Sequence, residues 1–142
     1  MVGVEQISVF LENKPGRLQH VTQKLGDAGV SIRAFVVAEA GEFGMIRVIV
    51  DNPVVALDTL RKEGFVCSRT EVLCVEIPDA PGELARLSLR LEKASVNIDY
   101  AYAFLTTTEK AIIVIKMDKT EEGLGALQGD YRILTAEEIQ EL

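Results

Sequence analysis

Ile7, Val9 and Leu11 alternate with Gln6, Ser8 and Glu12, the period-two pattern of a half-buried strand. The period changes after Pro15-Gly16. Leu18, Val21, Leu25 and Ala28 recur at spacings of three and four, which predicts a helix with that stripe turned inward. Gly29 stands where a helix C-terminal glycine belongs. Val30 to Glu39, rich in Val, Ile and Phe, predicts a second strand. A turn over 40–44 returns the chain into Met45 to Val50, a nearly all-apolar third strand. Asn52 before Pro53 marks the next helix start, a capping side chain followed by proline at the first helical position. Val54, Leu57 and Leu60 are its expected inner stripe, Gly64 its end, and Phe65 to Cys67 a short fourth strand.

The same order follows again. Pro15-Gly16-x-Leu18 recurs as Pro81-Gly82-x-Leu84, 66 residues on, and that shift also pairs Val9 with Val75, Leu25 with Leu91 and Val30 with Val96. Carried ungapped, it pairs Ile46 with Ile112, Val48 with Val114, Ile49 with Ile115 and Phe65 with Tyr131. Val72 to Ile77 predicts a strand, Leu84, Leu87, Leu91 and Ala94 a helix, and Val96 to Leu105 with Ala111 to Met117 a hairpin turning over 106–110. Asp118 with Glu121 reads as a capping box, and Gly123 and Gly125 make the helix after it the weaker one. Tyr131 to Leu134 closes the unit, and Thr135 caps a short terminal helix.

The expected fold is therefore α+β: two tandem ferredoxin-like βαββαβ units with antiparallel sheets and helices on one face. Residues 1–68 form the first domain and 69–142 the second with its short C-terminal helix, joined by a short link over Ser68 to Glu71. Sheet edges left unpaired predict a homodimer.

Composition narrows the function. A net charge of −7 across 142 residues argues against nucleic acid as partner. No apolar run is long enough to span a membrane, and the opening Met1-Val2-Gly3-Val4-Glu5 has no signal-peptide pattern, so a cytoplasmic protein is expected. Cys67 and Cys74 fit no zinc or redox spacing and read as buried free thiols, and no metal or cofactor is expected. His20, the only histidine, is expected on an exposed helix face, without partners for catalysis.

The two Pro-Gly turns carry the candidate chemistry. Proline fixes φ, glycine lets the backbone come close to a ligand, and the N–H groups opening the helix lack intrahelical partners, which suits a carboxylate. Asn13 and Asp79, just before the turns, could accept from an ammonium group or simply stabilise the turn. Arg17 and Glu83, matched and opposite in charge, are candidates to pair with each other. Asn13-Lys14-Pro15-Gly16-Arg17-Leu18 with Val30-Ser31-Ile32, and Asp79-Ala80-Pro81-Gly82-Glu83-Leu84 with Val96-Asn97-Ile98, resemble the ACT domain in two copies over essentially the whole chain. Ser31 and Ser95 depart from that pattern.

The resemblance implies a regulatory module that binds a free amino acid where paired domains meet, modulates a metabolic enzyme partner or its own assembly, and is not an enzyme. It places the ligand near Asn13, Pro15, Gly16, Arg17, Leu18 and Ile32 in one copy. In the other it points to Asp79, Pro81, Gly82, Glu83, Leu84, Asn97 and Ile98. Ala34-Phe35-Val36 and Tyr100-Ala101-Tyr102 lean the choice toward an apolar or aromatic amino acid. The alternative is a ligand-free interaction module.

Overall fold

A computed structural model describes residues 2–105 and 110–142. The expected turn residues 106–109 lie outside the described residues. In the first copy β1 (Val4–Glu12), α1 (Arg17–Asp27), β2 (Ile32–Ala40), β3 (Phe43–Val50) and α2 (Pro53–Lys62) follow in order. β4 (Val66–Pro78) leads into α3 (Glu83–Lys93), β5 (Ile98–Ala103), β6 (Lys110–Met117), α4 (Thr120–Leu127), β7 (Arg132–Ile133) and α5 (Ala136–Gln140). The chain is α+β, with the βαββαβ pattern repeated twice.

Two compact units result. The first comprises Glu5–Thr70 with the tail Ile139–Leu142, and the second Glu71–Glu138 with residues 2–4. Each unit thus takes a few residues from the far end of the chain. The backbone N–H groups of Val2 and Gly3 donate to the Glu71 carboxylate at 2.8 and 3.1 Å. Gly3 is glycine for a steric reason, since a Cβ there would overlap the Val72 carbonyl. The link expected over Ser68 to Glu71 is strand instead, the interior of β4. Those residues contain neither Gly nor Pro, so nothing in them interrupts an extended chain.

In the first unit the antiparallel order β2-β3-β1 puts Ile7 opposite Val48 and Val9 opposite Ile46. These residues, with Leu11 and Val50, meet Val21 and Leu25 of α1 and Ala56, Leu57 and Leu60 of α2 in one core. In the second unit β5-β6-β4-β7 is likewise antiparallel, and Leu73, Val75, Ile77, Ile115 and Met117 pack with Leu87 and Leu91 of α3 and Leu127 of α4. Five expected inner positions lie outside these cores: Val54 is 77% exposed, its place in the stripe taken by Ala56, Leu18 and Leu84 turn outward from α1 and α3, and Ala28 and Ala94 at the helix ends are exposed.

The helix ends explain themselves. Val30 N donates to Leu25 O and Gly29 N to Gly26 O around a Gly29 with φ 75°, a Schellman stop. Gly64 (φ 85°) ends α2 the same way, with Phe65 N bonded to Leu60 O. α3 stops with identical bonding, Val96 N to Leu91 O, but on Ser95 at φ 59°, the one non-glycine residue with positive φ among those described. At its start, α2 is capped as expected by the Asn52 side chain, which accepts from Val55 N at 3.2 Å.

The repeat is not ungapped. Val37 faces Ile46 across the first hairpin, and Ala103 faces Ile113 across the second, a span one residue longer. From there the true offset is 67: Val48 corresponds to Ile115 and Ile46 to Ile113, not to Val114 and Ile112. The offset returns to 66 after α4, because Tyr131 N bonds four residues back to Leu127 where Phe65 N bonds five back to Leu60. The corrected offset also reassigns Asp118. It matches Asp51, and both bond the residue that leads into β2 or β5: Ser31 N donates to Asp51 and Asn97 N to Asp118, each at 2.9 Å. Asp118 is therefore no capping box; α4 starts from Lys119 without a side-chain cap.

Candidate functional site

Both Pro-Gly turns adopt one geometry. Gly16 (φ 90°) and Gly82 (φ 85°) are left-handed N-caps of α1 and α3, and neither helix start has a side-chain cap. The first intrahelical bonds are His20 N to Gly16 O and Arg86 N to Gly82 O, both 3.0 Å. Beside each turn an apolar side chain stands in solvent, Leu18 at 39% exposure and Leu84 at 55%. Pro15, Asp79 and Pro81 are exposed as well.

The residues around the turns take distinct parts. Asn13 ties the first turn to the β2–β3 hairpin, its backbone N–H donating to Glu42 O at 2.8 Å and its Nδ2 to Gly41 O at 3.0 Å. Arg17 and Glu83 each find a partner within their own unit: Arg17 Nη2 donates to Glu12 at 3.0 Å, and Glu83 accepts from Arg86 at 3.4 Å. Lys14, hydrogen-bonded to Glu12, together with Arg17 holds that carboxyl below its usual range. Ile32 and Ile98 are half-buried against the cores, so each anchors its strand. The Asn97 side chain donates to Asp99 at 3.0 Å, which with Lys116 lowers the Asp99 pKa. Asp99 sits at a β5 register shift matching that of Arg33 in β2. Asn97 and Ile98 line a shallow depression with Ser88, Leu91 and Ser95.

The two aromatic segments do not present equivalent surfaces. Phe35 lies opposite Val48 on the helix-covered side of its sheet and is 40% exposed near the edge. Tyr102 lies opposite Val114, on the other side of its own sheet, and is half-buried like Tyr100. His20 is not free on a polar helix face: it packs edge-on against Phe65 with ring centroids 5.1 Å apart. With Arg17 it walls a cleft of about 350 Å³ in the first unit, which also takes in Phe10, Phe43 and Val66. Sequence reasoning missed this cleft because its apolar members come from three separate strands. Among the described residues no group of acidic, Cys or His side chains could hold a metal, and no helix is long and apolar enough to cross a membrane.

Two ferredoxin-like units in one chain, each opening its first helix on a Pro-Gly turn, define the class. The chain belongs to the ACT domain pair family, whose model matches residues 2–138. It is similar to a protein from Bacteroides thetaiotaomicron at 32% identity, with a TM-score of 0.91 over 98% of this chain and 96% of that one. Its fold is also that of the ligand-free regulatory subunit of aspartate kinase from Thermus thermophilus, at 19% identity and a TM-score of 0.66, covering 88% and 90% of the two chains. The regulatory subunit of aspartate kinase from Thermus flavus matches at 20% identity and a TM-score of 0.60, over 88% and 90%. No curated protein matches the chain.

Proposed function

We propose that this protein is a non-catalytic regulatory module that binds a free amino acid at its Pro-Gly turns and thereby modulates a partner enzyme or its own assembly. The observation that carries the reading is the pair of left-handed glycine N-caps without side-chain caps. The first N–H of each helix closes its own turn, Arg17 N on Lys14 O and Glu83 N on Ala80 O, and the next two, of Leu18 and Gln19 and of Leu84 and Ala85, are left for a ligand carboxylate. Around the first turn the binding residues are Asn13, Pro15, Gly16, Arg17, Leu18 and Ile32. Around the second they are Asp79, Pro81, Gly82, Glu83, Leu84, Asn97 and Ile98. Asp79 accepts the ammonium with charge assistance, making the second turn the tighter site. The exposed Leu18 and Leu84 favour an apolar or aromatic side chain. Aspartate kinase regulatory subunits among the fold relatives support a metabolic enzyme as partner. The exposed Phe35 and Val37 on β2 support a homodimer.

A thermal-shift screen against the twenty amino acids at millimolar concentration tests this. A ligand at 100 times its dissociation constant stabilises the fold by about 2.7 kcal/mol. One chemical class should raise the melting temperature, and Asp79→Ala or Gly82→Val should abolish the rise. If all twenty leave it unmoved, the amino-acid reading fails, and a ligand-free interaction module takes its place.

A further inference from the structure

The two copies diverge most sharply at one matched place. In the first unit Phe10, Phe43 and Val66 are 47%, 61% and 66% exposed around the cleft beside Arg17. The register fixes their counterparts. Glu12 faces Phe43 as Pro78 faces Lys110, so Phe43 corresponds to Lys110, while the 66-residue offset that holds for β1 and for the residues after α4 matches Phe10 with Glu76 and Val66 with Arg132. These counterparts are charged and satisfy one another: Glu76 pairs with Lys110 at 3.5 Å and with Arg132 at 3.2 Å. The positions of Arg17 and His20 are taken by Glu83 and Arg86, also an ion pair. One duplicated surface is thus neutralised by its own side chains, and the other keeps three apolar side chains in water beside a cation.

Exposed apolar groups at three neighbouring positions gain nothing from folding until something covers them. The space they surround is concave and at the small end of ligand-pocket volumes. Arg17 supplies the polar handle. Only its Nη2 bond to Glu12 engages a carboxylate, and its Nε–H is buried with no acceptor, so the guanidinium has donors to spare. Glu12 and Glu63, the latter paired with Lys24 at 3.6 Å, flank the cleft and disfavour a second negative charge on anything that enters.

We propose that this cleft is a small-molecule site distinct from the turns, taking a monocarboxylate with an aromatic or branched apolar body, and that the second unit has no counterpart. The carboxylate accepts from the Arg17 guanidinium, and the apolar body lies among Phe10, Phe43, Phe65 and Val66. An α-ammonium group is optional here, with Glu12 or Glu63 as its acceptor. The inference does not rest on the turn sites: the cleft shares Arg17 with the first turn, but its lining includes none of Asn13, Pro15, Gly16 and Leu18.

Isothermal titration with 3-phenylpropionate, phenylalanine and 2-phenylethylamine tests it on four proteins: wild type, Arg17→Met, Gly82→Val and a Phe10→Glu/Phe43→Lys/Val66→Arg triple variant. The triple variant installs the ion set that the second unit already folds around. 3-Phenylpropionate should bind wild type and Gly82→Val alike, and at least tenfold more weakly to Arg17→Met and to the triple variant. 2-Phenylethylamine should not bind. If the triple variant does not fold, Phe43→Lys alone, at an exposed position, should weaken binding at least threefold. No 3-phenylpropionate binding to wild type at millimolar concentration, or equal binding to the triple variant, overturns the proposal. So does a triple variant that only turns a dimer into a monomer, which would make the patch a protein interface. Loss in Gly82→Val alone would assign the ligand to the turn instead.

Discussion

Arg33 donates from Nε to the backbone carbonyl of Ile139 at 3.1 Å, joining residues 106 positions apart in sequence. Its Nη2 donates to the carbonyl of Gln140 at 2.9 Å. Arg33 can reach because it occupies the register shift of β2, where the strand departs from regular pairing with β3. The tail it holds belongs to the same compact unit, and Ile139 is buried there. A cation at the last carbonyls of a helix also suits the helix dipole.

Arg33→Met should therefore destabilise the protein by about 1.5 kcal/mol, the low end of the range for hydrogen bonds from a charged group, because one of the two bonds is exposed. Ile139→Ala removes the buried anchor of the same tail and should cost about 2–4 kcal/mol. Because both act through one segment, the double variant should lose less than the sum, as a double-mutant cycle in urea would show. Strict additivity would mean that Arg33 does not hold the tail.

Ser95 does in α3 what Gly29 does in α1, with the same two backbone bonds, at a φ where a Cβ is disfavoured. A non-glycine residue in this conformation costs about 1–2 kcal/mol. Ser95→Gly should raise stability by about 0.5–1 kcal/mol, and Gly29→Ala should lower it by about 1 kcal/mol. Both effects are read from urea midpoints at unchanged slope. A destabilised Ser95→Gly would show that the serine side chain makes up for its backbone.

Gly123 and Met117 form a matched pair. In the first copy the corresponding residues are Ala56 and Val50, both in the core. In the second copy the strand residue is larger and the helix residue smaller, and a Cβ on Gly123 would overlap Met117 Sδ. Helix propensity alone favours Gly123→Ala by up to about 1 kcal/mol, but overpacking costs about 1–3 kcal/mol. The single variant should be less stable than wild type, and Met117→Val with Gly123→Ala, which restores the first copy's pair, should recover the loss. A stabilised single variant would show that the thioether simply moves aside.

The elements were legible in the sequence wherever one face is polar. β1 alternates as read but is not half-buried, since Gln6 and Ser8 on its polar face are buried too. α1 and α3 carry stripes, and the glycine after α1 ends it as read. The phase of β6 was not legible, because Ile112, Ile113, Val114 and Ile115 are apolar on both faces. A slip of one residue in such a run changes no residue class, so the added hairpin residue went unseen until the pairing of Leu73 with Ile115 revealed it. Asp118 misled for a related reason. Its sequence neighbours suggest a cap, yet its carboxylate goes to the N–H of Asn97, 21 residues earlier. The turns of the candidate site were visible as a repeated motif. The cleft was not, since Phe10, Phe43 and Val66 come together only through strand pairing.

Cys74 offers a test of how β4 is buried on the face away from the second unit's helices, and it needs no ligand. It is fully buried on β4, and burial pushes its thiol from the ordinary 9.0 to about 12. Below pH 9 the thiol is protonated in both folded and unfolded chains and adds no pH dependence. Between pH 9 and 12 the unfolded chain releases this proton while the folded chain keeps it, so stability must fall as pH rises through that window. Cys67, half-buried with its thiol also raised, adds to the fall in the same direction. Urea unfolding at pH 8 and at pH 10.5 should show the loss in wild type and a smaller difference in Cys74→Ala, whatever that variant's stability at pH 8. The thiolate is also the nucleophile toward disulfide reagents. At pH 8 Cys74 should therefore be labelled only at the rate of unfolding, while the partly accessible Cys67 reacts first. Rapid labelling of both thiols in the native protein would show that β4 is not sealed into its sheet.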